Sequence, residues 1–234
     1  MRAELVAVFI IRRPQDRRLI ERLDPGYWHP AYGATLEQCR APLAPLGDFI
    51  ERITYGAIIT GRKPEPDPNG LPLIGQSCLR DSGVDTADAV RVAADSPWAL
   101  ERCRVRCGDL LIARSGEGSL ARNRLGVYHE GAPAVVDCFV DVLTLVGIDP
   151  DYVAAFLRTR FGWAQIHRLI NGVGPSNLSF DEIRSLRIAL ILEKTQREVA
   201  ERYEREVLPL HRAREFAEAT VAMRIIVTDL EREL

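Results

Sequence analysis

Cys107-Gly-Asp-Leu-Leu-Ile-Ala-Arg-Ser-Gly-Glu-Gly-Ser-Leu-Ala-Arg-Asn-Arg-Leu-Gly-Val-Tyr128 changes character twice. A turn at Gly108-Asp109 leads into the apolar run Leu110 to Ala113. A glycine-broken loop rich in arginine follows, and Leu125-Gly-Val-Tyr128 returns to apolar residues. A short apolar run bounded by turn residues suits a buried strand, so the stretch predicts strand, exposed loop, strand. Gly116 and Gly118 let the loop take positive φ or approach another molecule closely. Arg114, Arg122 and Arg124 add donors that match a phosphate or a guanine edge.

The same loop fits a second pattern. Gly116-x-Gly118-x-x-Ala121 behind a strand matches the dinucleotide fingerprint, and Asp137 lies near the distance expected of an acidic ribose ligand. That fingerprint requires a long amphipathic helix next, whereas this sequence continues with Arg122-Asn-Arg-Leu-Gly126 and then resumes its apolar pattern. A nucleotide-cofactor-binding enzyme using the Gly116-Gly118 loop is therefore an alternative reading, as is an ordinary solvated hairpin loop.

Working outward, 234 residues suffice for one large domain, or one domain with an appendage. Composition is that of a globular protein, 47% hydrophobic and 27% charged, and the net charge of -2 does not announce a nucleic-acid binder. Any such role must rest on local patches or a basic partner. Cys39, Cys78, Cys103, Cys107 and Cys138 are odd in number and scattered, as a reducing compartment permits, and their spacing suits no zinc site. The run Leu5 to Ile11 is too short for a signal core, and no stretch approaches the roughly 20 apolar residues of a membrane helix. A cytoplasmic protein with no membrane association is expected.

Leu5 to Ile11 reads as a strand, Arg17 to Leu23 as a short helix, and Asp24 to Pro30 as an aromatic connection. Thr35 is expected to cap a brief helix through Arg40. Gly61 to Gly70, with its prolines, reads as an extended surface loop, and Leu71 to Gly75 as a strand. Ala134 to Val136 and Phe139 to Val146 look like paired strands. Past Asp149, a plausible cap, the period turns helical, with Gly162 as an interruption and no acidic residue from Tyr152 to Phe180. This is the most basic surface candidate in the chain. A second glycine-rich loop follows from Asn171, then a capping pattern at Ser179 and Glu182, and a strand over Leu186 to Leu192. From Glu193 to Leu234 apolar residues recur at spacings of three, four and seven, which predicts a long amphipathic helix bent by Pro209.

No catalytic constellation emerges. Asp149-Pro-Asp-Tyr152 and Asp24-Pro-Gly-Tyr27 are near misses to the motif of amino-methyltransferases. Lys63 and Lys194 follow no carboxylate cluster, and the four histidines make no triad or metal spacing. No metal and no cofactor is expected. The polar loops instead offer Arg62, Lys63, Gln76, Arg114, Ser115, Arg122, Asn123, Arg124, Asn171, Ser176 and Asn177 as DNA-contacting candidates, because arginine, asparagine and glutamine suit bidentate base contacts.

The order of these pieces resembles the DNA-specificity subunits of type I restriction-modification systems. The resemblance rests on Leu46-Gly-Asp48, Gly61 with Pro64, Gly108 to Gly116, Asp149-Pro-Asp-Tyr152, Gly172 with Leu178-Ser179, and the tail from Glu193. It implies an α+β fold: a sheet-rich target-recognition domain with flanking helices over 1–192, then a long C-terminal amphipathic helix over 193–234 for dimerisation or partner docking. The implied role is a non-catalytic subunit that recognises double-stranded DNA and directs a methyltransferase subunit, with a restriction subunit as a possible further partner. Family members usually carry two recognition domains, whereas this length holds one, so a homodimer through the C-terminal helix is expected. A structural adaptor binding partners through that helix is the third class.

Overall fold

The computed structural model describes residues 27, 29–116, 120–170 and 177–234. The expected first strand and helix, most of the aromatic connection, and Gly118, Asn171 and Ser176 lie outside them.

The fold is α+β. Helix α1 (Pro30–Glu37) precedes β1 (Leu43–Pro45) and β2 (Ile50–Tyr55). Next come β3 (Leu71–Ile74), β4 (Leu79–Arg80), β5 (Gly83–Val84), β6 (Arg91–Val92) and β7 (Arg104–Val105). The central stretch gives β8 (Leu110–Ala113) and β9 (Leu125–Val127), followed by β10 (Ala134–Val136) and β11 (Val140–Leu145). Helices α2 (Pro150–Arg158), α3 (Arg160–Leu169) and α4 (Phe180–Ser185) lead to β12 (Arg187–Ala189) and the tail helices α5 (Glu193–Arg202), α6 (Leu208–Arg212) and α7 (Phe216–Glu233).

One antiparallel sheet, in the order β2-β11-β8-β9, is the platform of the molecule. Successive strand residues face opposite sides, and both sides of β8 are covered. Leu110 and Ile112 pack into the larger core with α2, α3 and the tail, while Leu111 and Ala113 enter a second core built on Ile74, Val105 and Val136. A sheet sandwiched in this way reads as a continuous apolar run rather than an alternating one.

The second core lies under a mixed sheet, β6-β3-β10-β7, in which β10 runs parallel to β3 and antiparallel to β7. The expected pairing of the two β-branched runs does not occur. Strand β11 has both hydrogen-bonding edges taken by β2 and β8, so β10 belongs to the other sheet. Between them, Asp137 Oδ1 accepts the Phe139 amide at 2.8 Å and holds the corner.

Several local boundaries move for identifiable reasons. Helix α1 starts at Pro30, with the His29 ring accepting the Ala31 amide, so Thr35 sits inside the helix and donates to the Ala31 carbonyl. Asp149 caps α2 as expected, accepting the Asp151 and Tyr152 amides at 2.8 and 3.1 Å. The helical break falls at Thr159, whose hydroxyl donates to the Phe156 carbonyl and accepts the Gly162 amide. Gly162 is required nonetheless, because a Cβ there would lie 2.3 Å from Leu157 Cα. Ser179 and Glu182 form the anticipated capping box. The last strand shrinks to β12, paired antiparallel with β1, and Leu192 beyond it is exposed.

The tail is two helical legs rather than one bent helix. Pro209 has no amide to give the Arg205 carbonyl, and its ring would clash there in α geometry. Tyr203–Val207 widens into a π turn, closed by the Leu208 amide on the Tyr203 carbonyl. The reversal comes later, at Arg214, which takes a left-handed φ of 62° and is anchored by Asp85 and Asp88. Both legs return their apolar faces to the larger core, through Val199, Tyr203 and Val207 on one and Met223, Ile226 and Leu230 on the other. Arg202 staples them by donating to Asp229 at 3.0 Å.

The first leg is tied to the β4-β5 turn by buried polar groups. The Tyr203 hydroxyl donates to the Ser82 carbonyl at 2.9 Å, and Ser82 Oγ lies 2.8 Å from His211 Nδ1. Burial holds the His211 ring below the ordinary histidine pKa. The bond to Val84 and the charge of Asp85 and Glu130 pull the other way, and Arg80 adds to the depression. The unfolded chain therefore takes up this proton first, so the stability that neutral His211 contributes is full above about pH 6.5 and declines as pH falls below it. In urea unfolding between pH 7.5 and 5.5, the stability difference between wild type and His211→Gln is expected to shrink toward the acid end. A pH-independent difference would show that folding leaves the pKa of the ring unchanged.

Candidate nucleic-acid interface

Strand β8 delivers Arg114 to the rim of the platform, where the side chain turns inward. Its guanidinium bonds Asp141 at 2.8 Å and stacks over Tyr55 at 4.3 Å, with Phe180 at 5.3 Å. Tyr55 and Phe180 themselves meet at 5.7 Å. Asp141, in the register partner of Tyr55 and Ile112, is fully buried and its second oxygen has no hydrogen-bond partner. Burial pushes its carboxyl pKa up to about 6, with Arg114 opposing the rise.

Around this anchor four segments from distant parts of the sequence meet. The Arg114 amide donates to the Phe139 carbonyl at 2.8 Å, and its carbonyl accepts the Leu178 amide at 3.1 Å. Ser115 forms an antiparallel bridge with Asn177. Gln76 donates to the Ser115 carbonyl at 2.7 Å and to the Phe139 carbonyl at 3.2 Å. Pro64 joins them across a cleft of about 360 Å³ shared with Gly75, Ser77, Asp137 and Phe139, which brings the loop carrying Arg62 and Lys63 to the same region. Asp137, facing this cleft, has its carboxyl pKa raised to about 6 by burial, against the lowering effect of the Phe139 amide.

The described candidates thus divide by what their side chains already do. Arg62 and Lys63 are exposed after Gly61, which takes φ +72°. Asn177 is exposed, and Ser115 is half-buried beside it. Gln76 and Arg114 hold the loops together through the bonds above. Asn123 is buried with φ 52°, and its amide donates to the Leu157 carbonyl at 2.6 Å, which fixes the loop to α2. Arg122 is exposed, while Arg124 is half-buried with its Nε unpartnered. Asp137, Phe139 and Trp98 also line this cleft and were not among the candidates; Phe139 is 52% exposed, which no local sequence pattern announces.

The dinucleotide reading fails on geometry. After Gly116, at φ +92°, the described chain makes a single turn over Leu120–Arg122 and enters β9, antiparallel to β8. Among the described residues no helix follows there to receive a pyrophosphate. Among the described residues no cluster of histidine, cysteine or acidic side chains could hold a metal ion. No described helix is long and apolar enough to cross a membrane.

The Asp141 anchor has a testable electrostatic signature. A carboxyl whose folded pKa is raised binds its proton more tightly when folded, so the stability it contributes is full below about pH 4 and is lost as pH rises to about 6. Asp141→Asn keeps an acceptor for Arg114 and removes the ionisation. Chemical denaturation of both proteins should therefore show wild type losing stability relative to the variant between pH 4 and 6. Asp137 titrates in both and cancels. Parallel curves would mean that Asp141 ionises as an ordinary carboxylate.

No protein-family model matches the sequence, and no curated protein matches it. Solved structures do show similarity. One, from a study of complex assembly and conformational transition of the type I R-M system, aligns with TM-score 0.49 and 16% identity over 91% of this chain and 53% of that one. The HsdS subunit of Thermoanaerobacter tengcongensis aligns with TM-score 0.49 and 17% identity over 91% of this chain and 52% of that one. The type I restriction-modification S subunit of M. genitalium gives TM-score 0.47 and 11% identity over 72% of this chain and 38% of that one. The chain spans about half the length of the first two.

Proposed function

We propose that this chain is a non-catalytic, sequence-reading DNA-binding subunit that directs a partner methyltransferase to its site, with a restriction subunit as a further partner. The observation that carries the reading is the meeting of the loops at Gly61–Pro64, Gly75–Ser77, Arg114–Gly116 and Asn177 on one rim of a rigid sheet. Loops converging on a rigid scaffold can face one duplex together. The order of motifs along the sequence points the same way. In this reading 1–192 recognises DNA and 193–234 docks a partner, in the cytoplasm. Base readout falls to Arg62, Lys63, Ser115, Asn177 and the neighbouring Asn171 and Ser176, with Arg122 and Arg124 reaching phosphates. Gln76, Arg114 and Asn123 set loop shape.

Selection from a random duplex pool, by the chain with and without a methyltransferase, tests this. Asn177→Ala is expected to weaken the selected site by about 1–3 kcal/mol and to relax one position of the sequence preference. A pool that emerges unenriched in both conditions would sink the reading.

For the tail, the outward face of α7 carries Val221 and Ile225, both more than half exposed. In our reading this face pairs with a second copy or with a methyltransferase helix, so that two half-sites are read at a fixed gap. Light scattering on Val221→Asp/Ile225→Asp is expected to show loss of the dimer or of the methyltransferase complex. A wild-type monomer whose methyltransferase binding survives the double substitution would exclude both roles.

A further inference from the structure

A second cleft, of about 380 Å³, opens between α7 and the far end of the arginine-rich loop, away from the rim where Gln76, Ser115 and Asn177 meet. Its walls include Arg122, Arg158 and Arg224, against Asp81 as the one carboxylate-bearing residue among the described residues lining it, and Trp163 closes one side. The excess of positive charge sets this cleft apart from the rest of the tail. In the tail, Arg197, Arg202, Arg205, Arg212, Arg214 and Arg232 all pair with carboxylates. Among the described residues Arg224 has no such partner, nor has Arg122.

Arg158 is the floor of the cleft. Its guanidinium donates to the carbonyls of Asp81 at 3.1 Å, Ala154 at 3.1 Å and Leu125, three neutral acceptors that fix its plane without cancelling its charge. Burial holds its pKa below the ordinary arginine value, opposed by Tyr203, Asp81 and Asp151. A half-buried cation bonded to dipoles alone is incompletely compensated, and an anion entering beside it would complete the site. Planar guanidinium forks converging on one space are the donor set that phosphate oxygens accept best. The volume leaves room for a phosphodiester with several waters, each occupying about 30 Å³.

We propose that this cleft seats a backbone phosphate of the bound DNA, an inference that rests on the DNA-recognition reading and adds to it a contact outside the loop rim. The loop from Arg114 to Arg124 then spans two functions: its first end belongs to the readout rim and its second end grips the backbone. Asn123, locked to Leu157, holds the second end in place. A phosphate contact carries no sequence information and shows itself in salt dependence.

Fluorescence anisotropy with a duplex of the selected sequence and one of arbitrary sequence, across a salt series, tests the seat. The variants are Arg122→Gln, Arg224→Gln and their double, with the exposed, ion-paired Arg197→Gln as control; Arg158 is left intact because it ties three carbonyls together. In the double variant the slope of log affinity against log salt should fall by about 1, the share of one phosphate, equally on both duplexes, with the control unchanged. Where wild type binds DNA, an unaltered slope in the double variant overturns the seat and leaves the recognition reading standing. Should wild type bind neither duplex, the recognition reading falls, and calorimetry with inorganic phosphate decides the rest. Heat lost in the double variant keeps an anion site, and no heat in wild type removes it.

Discussion

Strand β8 has no solvent face, and every polar group drawn into its sheet must find its partner inside the protein. Two carboxylates face that demand with different outcomes. Asp109 takes the Arg52 guanidinium at 2.7 Å, the Thr144 hydroxyl at 2.6 Å and the Arg106 amide at 2.8 Å. Asp141 has Arg114 and little else. The fully bonded carboxylate fixes the base of the platform. The under-bonded one recruits an arginine from the rim, and the Arg114 plane in turn aligns Tyr55 and Phe180. Loop order at the rim is thus a consequence of charge balance in the core.

Much of this was legible in the sequence where a local rule decides the outcome. The run Leu110 to Ala113 between turn residues, the Asp149 cap and the Ser179-Glu182 box each need information from a handful of neighbours, and each forms. The fate of β11 needed information from elsewhere: a strand's composition does not say which neighbours take its two edges. Side-chain chemistry posed the same limit at the interface. Gln76 and Asn123 have donors suited to a base edge, and those donors serve equally for a carbonyl. Ser115 and Leu157 supply carbonyls within reach, from residues 39 and 34 positions away. The tail reversal was hidden for another reason. Its left-handed residue is an arginine, held by two aspartates more than 120 residues upstream, where a glycine would have been readable.

The arginines of the chain show how a near-neutral protein can hold strongly basic places. Those on the tail are largely spent on carboxylates of the tail itself or on Asp85, Asp88 and Glu130 beneath it, so they add little field. Arg122 and Arg224, which have no carboxylate partner among the described residues, meet instead at one cleft. Net charge averages over this arrangement and conceals it, which is why composition alone said so little about partners.

The π turn at Tyr203–Val207 sets the phase of everything after it. Val199, Tyr203, Val207 and His211 are all buried at steps of four residues, a spacing that would drift about 40° per step around a regular helix. One wide turn absorbs part of that drift and keeps the four side chains on one face. The tail is consequently intolerant of changes in count rather than of changes in kind. Removing a single residue between Tyr203 and Val207 would rotate the following segment by about 100°, swinging His211 away from Ser82 and the Arg214 corner away from its aspartates, although every side chain involved would still be present.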